Sequence, residues 1–152
     1  MQLSKDALEF ISLLNQKKVK YLVVGGWAVS LHHKPRYTKD LDILIARDSQ
    51  NAEKLMVALE EFGFGSVGIE RADFEKPGYV IQLGVEPNRI DILTEIISVD
   101  FSQAWPNKVI IRHQEIDLPI ISILDLIANK ESAARDQDLV DAKNLKKLIS
   151  KK

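Results

Sequence analysis

Three carboxylates carry the chemistry this chain is equipped for. Asp40 and Asp42 head a short apolar run that ends at Ile45, and Asp91 sits between Ile90 and Ile92 in a second such run. Side chains alternate along a strand, so Asp40 and Asp42 point to one side, with Cα atoms roughly 6–7 Å apart. Two acids at that spacing repel each other unless something positive lies between them, and a divalent cation is the obvious candidate. If the Asp91 strand pairs with theirs, a third carboxylate lies beside the first two, since neighbouring strands are about 4.7–4.9 Å apart. Such a triad suits one or two Mg²⁺ (or Mn²⁺) ions. Two ions about 3.5–4 Å apart can clamp the attacking and leaving oxygens of an in-line phosphoryl displacement. The plain alternative for Asp91 is a half-exposed strand acid paired with Arg89 or a lysine.

The elements that must position these acids are legible from periodicity. Ser4 is a candidate N-cap for a helix over about 5–16, with Ala7, Leu8, Ile11 and Leu14 at helical spacing. Tyr21–Val24 reads as a strand that ends at Gly25-Gly26, and Trp27–His32 as a short helix stopped by Pro35. Strand, Gly-Gly, helix start is a geometry that lets a backbone approach phosphate, although a plain strand-to-helix turn has the same pattern. A strand over Asp40–Ile45 follows, then a helix capped by Asp48 or Ser49 and broken by Gly63, Gly65 and Gly68. A short strand is expected near Val67–Glu70. Tyr79–Val85 and Arg89–Thr94 form an expected hairpin around Glu86-Pro87-Asn88. Phe101–Trp105 reads as one helical turn, and Val109–Arg112 with Glu115–Leu118 as a second hairpin. Ser122 begins a helix over about 123–134, and a last helix spans about 138–149. One domain over 1–152 is the simplest organisation, with a core over about 1–120 and a helical C-terminal end over about 122–149.

Composition limits the alternatives. With 45% hydrophobic and 28% charged residues the chain is globular rather than disordered. No apolar run approaches the roughly 18 residues that span a membrane. There is no signal-peptide pattern and no cysteine, so thiolate chemistry is excluded and a cytoplasmic location is expected. A net charge of −1 gives no general attraction to nucleic acid. The basic tail, Lys143, Lys146, Lys147, Lys151 and Lys152, reads first as a solvated helix end.

Gly25-Gly26, Asp40-Leu41-Asp42 and the isolated Asp91, in that order, resemble the nucleotidyltransferase superfamily that shares the DNA polymerase β-like fold. More narrowly, Gly25–His32 followed by Arg36-x-Thr38-x-Asp40-x-Asp42 looks like its small prokaryotic branch, which includes AbiEii- and MenT-type toxins. Leu126-Ile127-Ala128-x-Lys130, Ala134-Arg135 and Asp138-Leu139-x-Asp141 are similar to that branch's helical motif. The resemblance implies an α+β fold, a mixed sheet packed on helices. It also implies Mg²⁺-dependent transfer of a nucleoside monophosphate from a triphosphate to a hydroxyl, with pyrophosphate leaving. Asp40, Asp42 and Asp91 would be catalytic and hold metal. Gly25, Gly26, Arg36, Thr38 and Lys130 would bind the nucleotide. Gly26 stands where relatives often carry Ser or Thr, which removes a hydroxyl but leaves the backbone contacts.

The acceptor stays open among an RNA or tRNA end, a protein and a small molecule, and the toxin relatives imply an antitoxin partner. The competing reading is a non-catalytic nucleotide-binding or antitoxin-partner module with the same fold. Residue by residue, plain roles compete as well. Lys130 emerges from an apolar stripe and could snorkel. Arg135, Asp138 and Asp141 suit inter-helix ion pairs, and Trp27 suits packing. His32 and His33 suit an exposed helix end better than metal ligation.

Overall fold

In the computed structural model, the Ser4 hydroxyl accepts the Ala7 N–H at 3.1 Å and starts α1 (Lys5–Gln16). Its residues at helical spacing, Ala7, Phe10, Ile11 and Leu14, are all buried. Each large side chain buried in this way stabilises the fold by roughly 1.5–3 kcal/mol. The structure describes residues 2–35, 38, 40–63, 68–85 and 88–150. Arg36, Gly65, Val67, Glu86, Pro87, Lys151 and Lys152 lie outside the described residues.

β1 (Tyr21–Val24) runs directly into α2 (Gly25–His32), and β2 (Leu41–Ile45) into α3 (Ser49–Phe62) through the Asp48 cap. A 3-10 turn (Arg71–Glu75) leads to β3 (Val80–Leu83) and β4 (Ile90–Leu93), the first hairpin. After α4 (Phe101–Ala104) come β5 (Val109–His113) and β6 (Ile116–Ile120), the second hairpin, then α5 (Ile123–Ala133) and α6 (Asp136–Ser150). The six strands form one sheet in the order β3-β4-β2-β1-β6-β5. β2 is antiparallel to β1 and parallel to β4, and β6 is parallel to β1. The sheet is therefore mixed and the class α+β. β1, near its centre, is buried at every position, which suits its unbroken apolar run. Phe10 of α1 and Phe62 of α3 meet with ring centroids 5.2 Å apart, which ties two helices of one layer together.

Several boundaries differ from the periodicity, β2 beginning at Leu41 rather than Asp40 among them, and three of the differences have a plain local cause. α2 begins at Gly25, not Trp27, because Gly25 takes φ +66° and turns the strand into the helix with no intervening loop. Gly68–Glu70 is not a strand. Glu70 and Asp73 instead exchange reciprocal side-chain and backbone bonds that cap the 3-10 turn, a local bonding pattern that competes with a ladder. α6 begins at Asp136, two residues early, with Asp136 and Asp138 in a first turn that favours negative charge.

Candidate active site

β2 and β4 carry the acids, and their register decides the geometry. Asp42 and Asp91 are direct partners across the parallel pair, so their side chains leave the sheet on the same side. Asp40 precedes β2 by one residue and is half-buried. Asp91 is buried rather than half-exposed. Ile90 and Ile92, on either side of it, are buried too, so both faces of β4 are covered.

The cation among these acids is a guanidinium. Arg89 donates from Nε to Asp91 Oδ1 at 2.8 Å and from Nη2 to Asp91 Oδ2 at 3.2 Å. The same Nη2 donates to Asp40 Oδ2 at 2.9 Å. Among the described residues, no three acidic or histidine side chains converge as a group that could hold a metal ion. Asp42 receives less help. Burial, then the charges of Asp91 and Asp40, push its pKa up to about 7, against the smaller opposing pull of Lys130 and Arg89.

The backbone of α2 closes on Asp42 from the other side. A Cβ placed on Gly25 would fall 2.5 Å from Asp42 Oδ2, so no side chain fits there. The residue before α2, Val24, provides no side-chain cap, which leaves the first N–H groups without one of their usual partners. Gly25-Gly26 and Asp42 are thus neighbours, as the sequence order suggested. Thr38 is half-buried, and Arg36 lies outside the described residues.

Lys130 is placed otherwise than by snorkelling. It is only 6% exposed, and its ammonium lies 3.2 Å from Asp138 Oδ1 and 3.4 Å from Asp141 Oδ2. Arg135 adds a 2.7 Å bond from Nε to Asp138 Oδ2. Burial pushes the Asp138 carboxyl up, but bonds from Arg135 and Lys130 outweigh it and hold the group below its ordinary value. Asp138 and Asp141 therefore form inter-helix ion pairs, with Lys130 of α5 as their centre, whereas the Arg135 pair with Asp138 is local to the start of α6. Lys130 also acts on Asp42 through space, so this cluster borders the strand acids.

Trp27 is packed in the core, edge-on to His113 at 5.7 Å. His32 is half-buried with Nε2 2.6 Å from the Ile121 carbonyl, and burial lowers its pKa. That ring nitrogen is taken up by the backbone, which leaves its expected exposed helix end unrealised. Arg89 is the residue whose part was underestimated. Its signal was its position two residues before Asp91, on the same side of the strand.

The model of the family described as "Nucleotidyltransferase of unknown function (DUF6036)" matches residues 1–151, and the chain belongs to that family. No curated protein matches the chain. Solved structures with this fold include the lincosamide antibiotic adenylyltransferase LnuA bound to lincomycin. It is 22% identical with a TM-score of 0.59, and the match covers 96% of this chain and 98% of that one. A Thermotoga maritima protein classed with the nucleotidyltransferases is 16% identical with a TM-score of 0.59, over 99% of this chain and 97% of that one. ANT(2")-Ia in complex with adenylyl-2"-tobramycin is 11% identical with a TM-score of 0.57, over 93% and 86%. Among the described residues, no helix is long and apolar enough to cross a membrane.

Proposed function

We propose that the chain, acting as one catalytic domain, is a divalent-metal-dependent nucleotidyltransferase. It moves a nucleoside monophosphate from a triphosphate to an acceptor hydroxyl. The observation that carries this reading is the in-register pairing of Asp42 with Asp91, beside Asp40 and against the Gly25 backbone. Asp42 and Asp91 on adjacent strands, with Asp40 just before β2, are hard-oxygen donors of the type Mg²⁺ or Mn²⁺ takes, and the charges of Asp91 and Asp40 add to burial in raising the pKa of Asp42. A divalent ion held by Asp40, Asp42 and Asp91 would supply charge neutralisation for the triphosphate and acidify the acceptor hydroxyl.

The chain's own residues supply the rest. Gly25 and Gly26 present backbone N–H groups to the phosphates, and Arg36 and Thr38 add a cationic and a hydroxyl contact. The acceptor oxygen forms its bond to the α-phosphorus as the bond from that phosphorus to the bridging oxygen breaks. Pyrophosphate leaves with that bond's electron pair, and Asp91 takes the hydroxyl proton. Lys130, held by Asp138 and Asp141, contributes positive potential rather than a free ammonium.

For the acceptor we favour a small hydroxyl-bearing molecule, because the adenylyltransferases that share this fold include two whose acceptors are antibiotics. Labelled nucleoside triphosphates are incubated with Mg²⁺ and, separately, aminoglycosides or lincosamides, total RNA, and cell protein. Label on a small molecule supports this choice. Label on RNA ends moves the protein to the toxin-like reading, with an antitoxin as its expected partner. No transfer to any acceptor, or transfer unchanged in Asp42→Ala, rejects nucleotidyl transfer.

A second reading is a nucleotide-binding module without turnover. One observation favours it: Arg89, not a metal-ready arrangement, joins Asp40 and Asp91. Calorimetric binding of Mg-ATP with no transfer under any acceptor would select it.

A further inference from the structure

Arg89 has its backbone fixed and its side chain poised at the surface. Its carbonyl accepts the Leu41 N–H at 3.0 Å, which pins residue 89 into the sheet beside the start of β2. Its side chain is 24% exposed, while the carboxylates it joins are 21% (Asp40) and 13% (Asp91) exposed. The ladder bond is made by the backbone alone, so the place of residue 89 in the sheet does not depend on where its guanidinium points.

The guanidinium uses the same oxygens a metal ion would need. It donates to both carboxylate oxygens of Asp91 and to Oδ2 of Asp40, at 2.8 to 3.2 Å. A Mg²⁺ ion binds oxygen at about 2.0–2.1 Å and demands near-octahedral geometry. An ion held by Asp40 and Asp91 would draw on carboxylate oxygens that now accept from the guanidinium. The two occupants exclude each other by space and by charge.

We infer that Arg89 is a built-in counter-ion, which holds the acid cluster together in the metal-free chain and must swing out when a divalent ion enters. This rests on the metal-dependent reading above. Arg89 acts as a positioning residue: it keeps mutually repelling acids in register until the ion replaces it. The exchange sets a threshold for metal, since every ion bound must first break hydrogen bonds to charged groups.

The test is metal binding by the full, nucleotide-free chain. Calorimetric titration with Mn²⁺ compares wild type, Arg89→Gln, Arg89→Lys and Asp42→Asn. Removing the competitor means that no charge-assisted hydrogen bond has to break before the ion enters, so Mn²⁺ binding should tighten by about tenfold or more in Arg89→Gln. Arg89→Lys, which keeps the charge but loses the fork, should fall between. Unchanged or weaker binding in a folded Arg89→Gln overturns the inference. If that variant does not fold, wild type decides the matter. Its Arg89 Nε–H resonance should shift and lose protection from exchange on saturation with Mg²⁺, and an unmoved signal overturns the inference. Metal binding that Asp42→Asn abolishes, with Arg89 unmoved, removes this inference and leaves the metal-dependent function standing. Absence of metal binding in both wild type and Arg89→Gln removes both.

Discussion

Two clusters of charge lie side by side in this molecule, and they are built on opposite terms. On the helices, Lys130 and Arg135 face Asp138 and Asp141, two cations to two anions, and three of the four are buried to 6% exposure or less. On the strands, the described residues place Asp40, Asp42 and Asp91 around the single guanidinium of Arg89. The helical cluster is compensated within itself and can be left dry. In the strand cluster, Asp42 is the acid whose proton affinity rises, through burial first and then through the charges of Asp91 and Asp40. Both clusters hold buried acids, and among the described residues the direct ion pairs to Asp138 and Asp141 set the helical one apart from Asp42, whose pKa rises.

The largest effect should come from the strand cluster. Asp42→Ala should lower nucleotidyl transfer by about a thousandfold or more, since a lost metal ligand removes several kcal/mol of transition-state stabilisation. Circular dichroism and urea unfolding should show the fold retained. An active Asp42→Ala would place the chemistry elsewhere and erase the contrast between the clusters.

The helical cluster should fail in the other way. Lys130→Met leaves Asp138 and Asp141 buried with their central cation gone, a loss of about 3–5 kcal/mol for a broken buried pair. Urea denaturation reads that loss directly. A variant in which Lys130, Asp138 and Asp141 become Met, Asn and Asn should recover much of the stability. If it recovers stability but not nucleotide affinity, Lys130 also serves the triphosphate; if it recovers both, the cluster is purely structural.

Gly25→Ala tests the seam between backbone and acid. The methyl would sit 2.5 Å from Asp42 Oδ2, and the residue would hold φ +66°. The left-handed backbone alone costs roughly 1–2 kcal/mol. Thermal unfolding should show that cost, and the displaced carboxylate should weaken Mn²⁺ binding at the same time. Stability lost with metal binding intact would mean that Asp42 has room to move.

Local pattern revealed most of the scaffold because the chain is locally consistent. Ser4, Asp48 and Ser122 each accept the N–H three residues on, as cap chemistry requires. The D-x-D strand and Asp91 were legible because acids inside apolar runs have few plain explanations. Asp42 and Asp91 share a register through a parallel pairing that spans α3, the 3-10 turn and β3. No spacing rule reaches over that distance. The dominance of Arg89 was harder to see, since choosing between a guanidinium and a metal ion depends on side-chain reach in three dimensions. The Lys130 ammonium looked like a snorkelling group because its partners lie on the next helix, eight and eleven residues on.

The smallest effect separates the two clusters by sign. Asp42 has a folded pKa of about 7, above its ordinary 3.8. The metal-free fold therefore has that contribution in full below about pH 4 and loses it as pH rises through 7, because the folded state binds the extra proton. Asp138 runs the other way. Its folded pKa is lowered, so its contribution is present above the unfolded value of 3.8 and is lost as pH falls through the folded one. The unfolding free energy of the metal-free chain, read from urea titrations, should drop between about pH 4 and 7 by an amount on the order of 1–2 kcal/mol, after allowing for solvent screening. Asp42→Asn should flatten that drop, and saturating Mg²⁺ should reverse it, because ionised Asp42 then has a cation to face. Neither change should touch the acid limb, which belongs to Asp138. If Asp42→Asn leaves the slope between about pH 4 and 7 intact, the strand cluster is already compensated in the metal-free chain and has no need of a further ion.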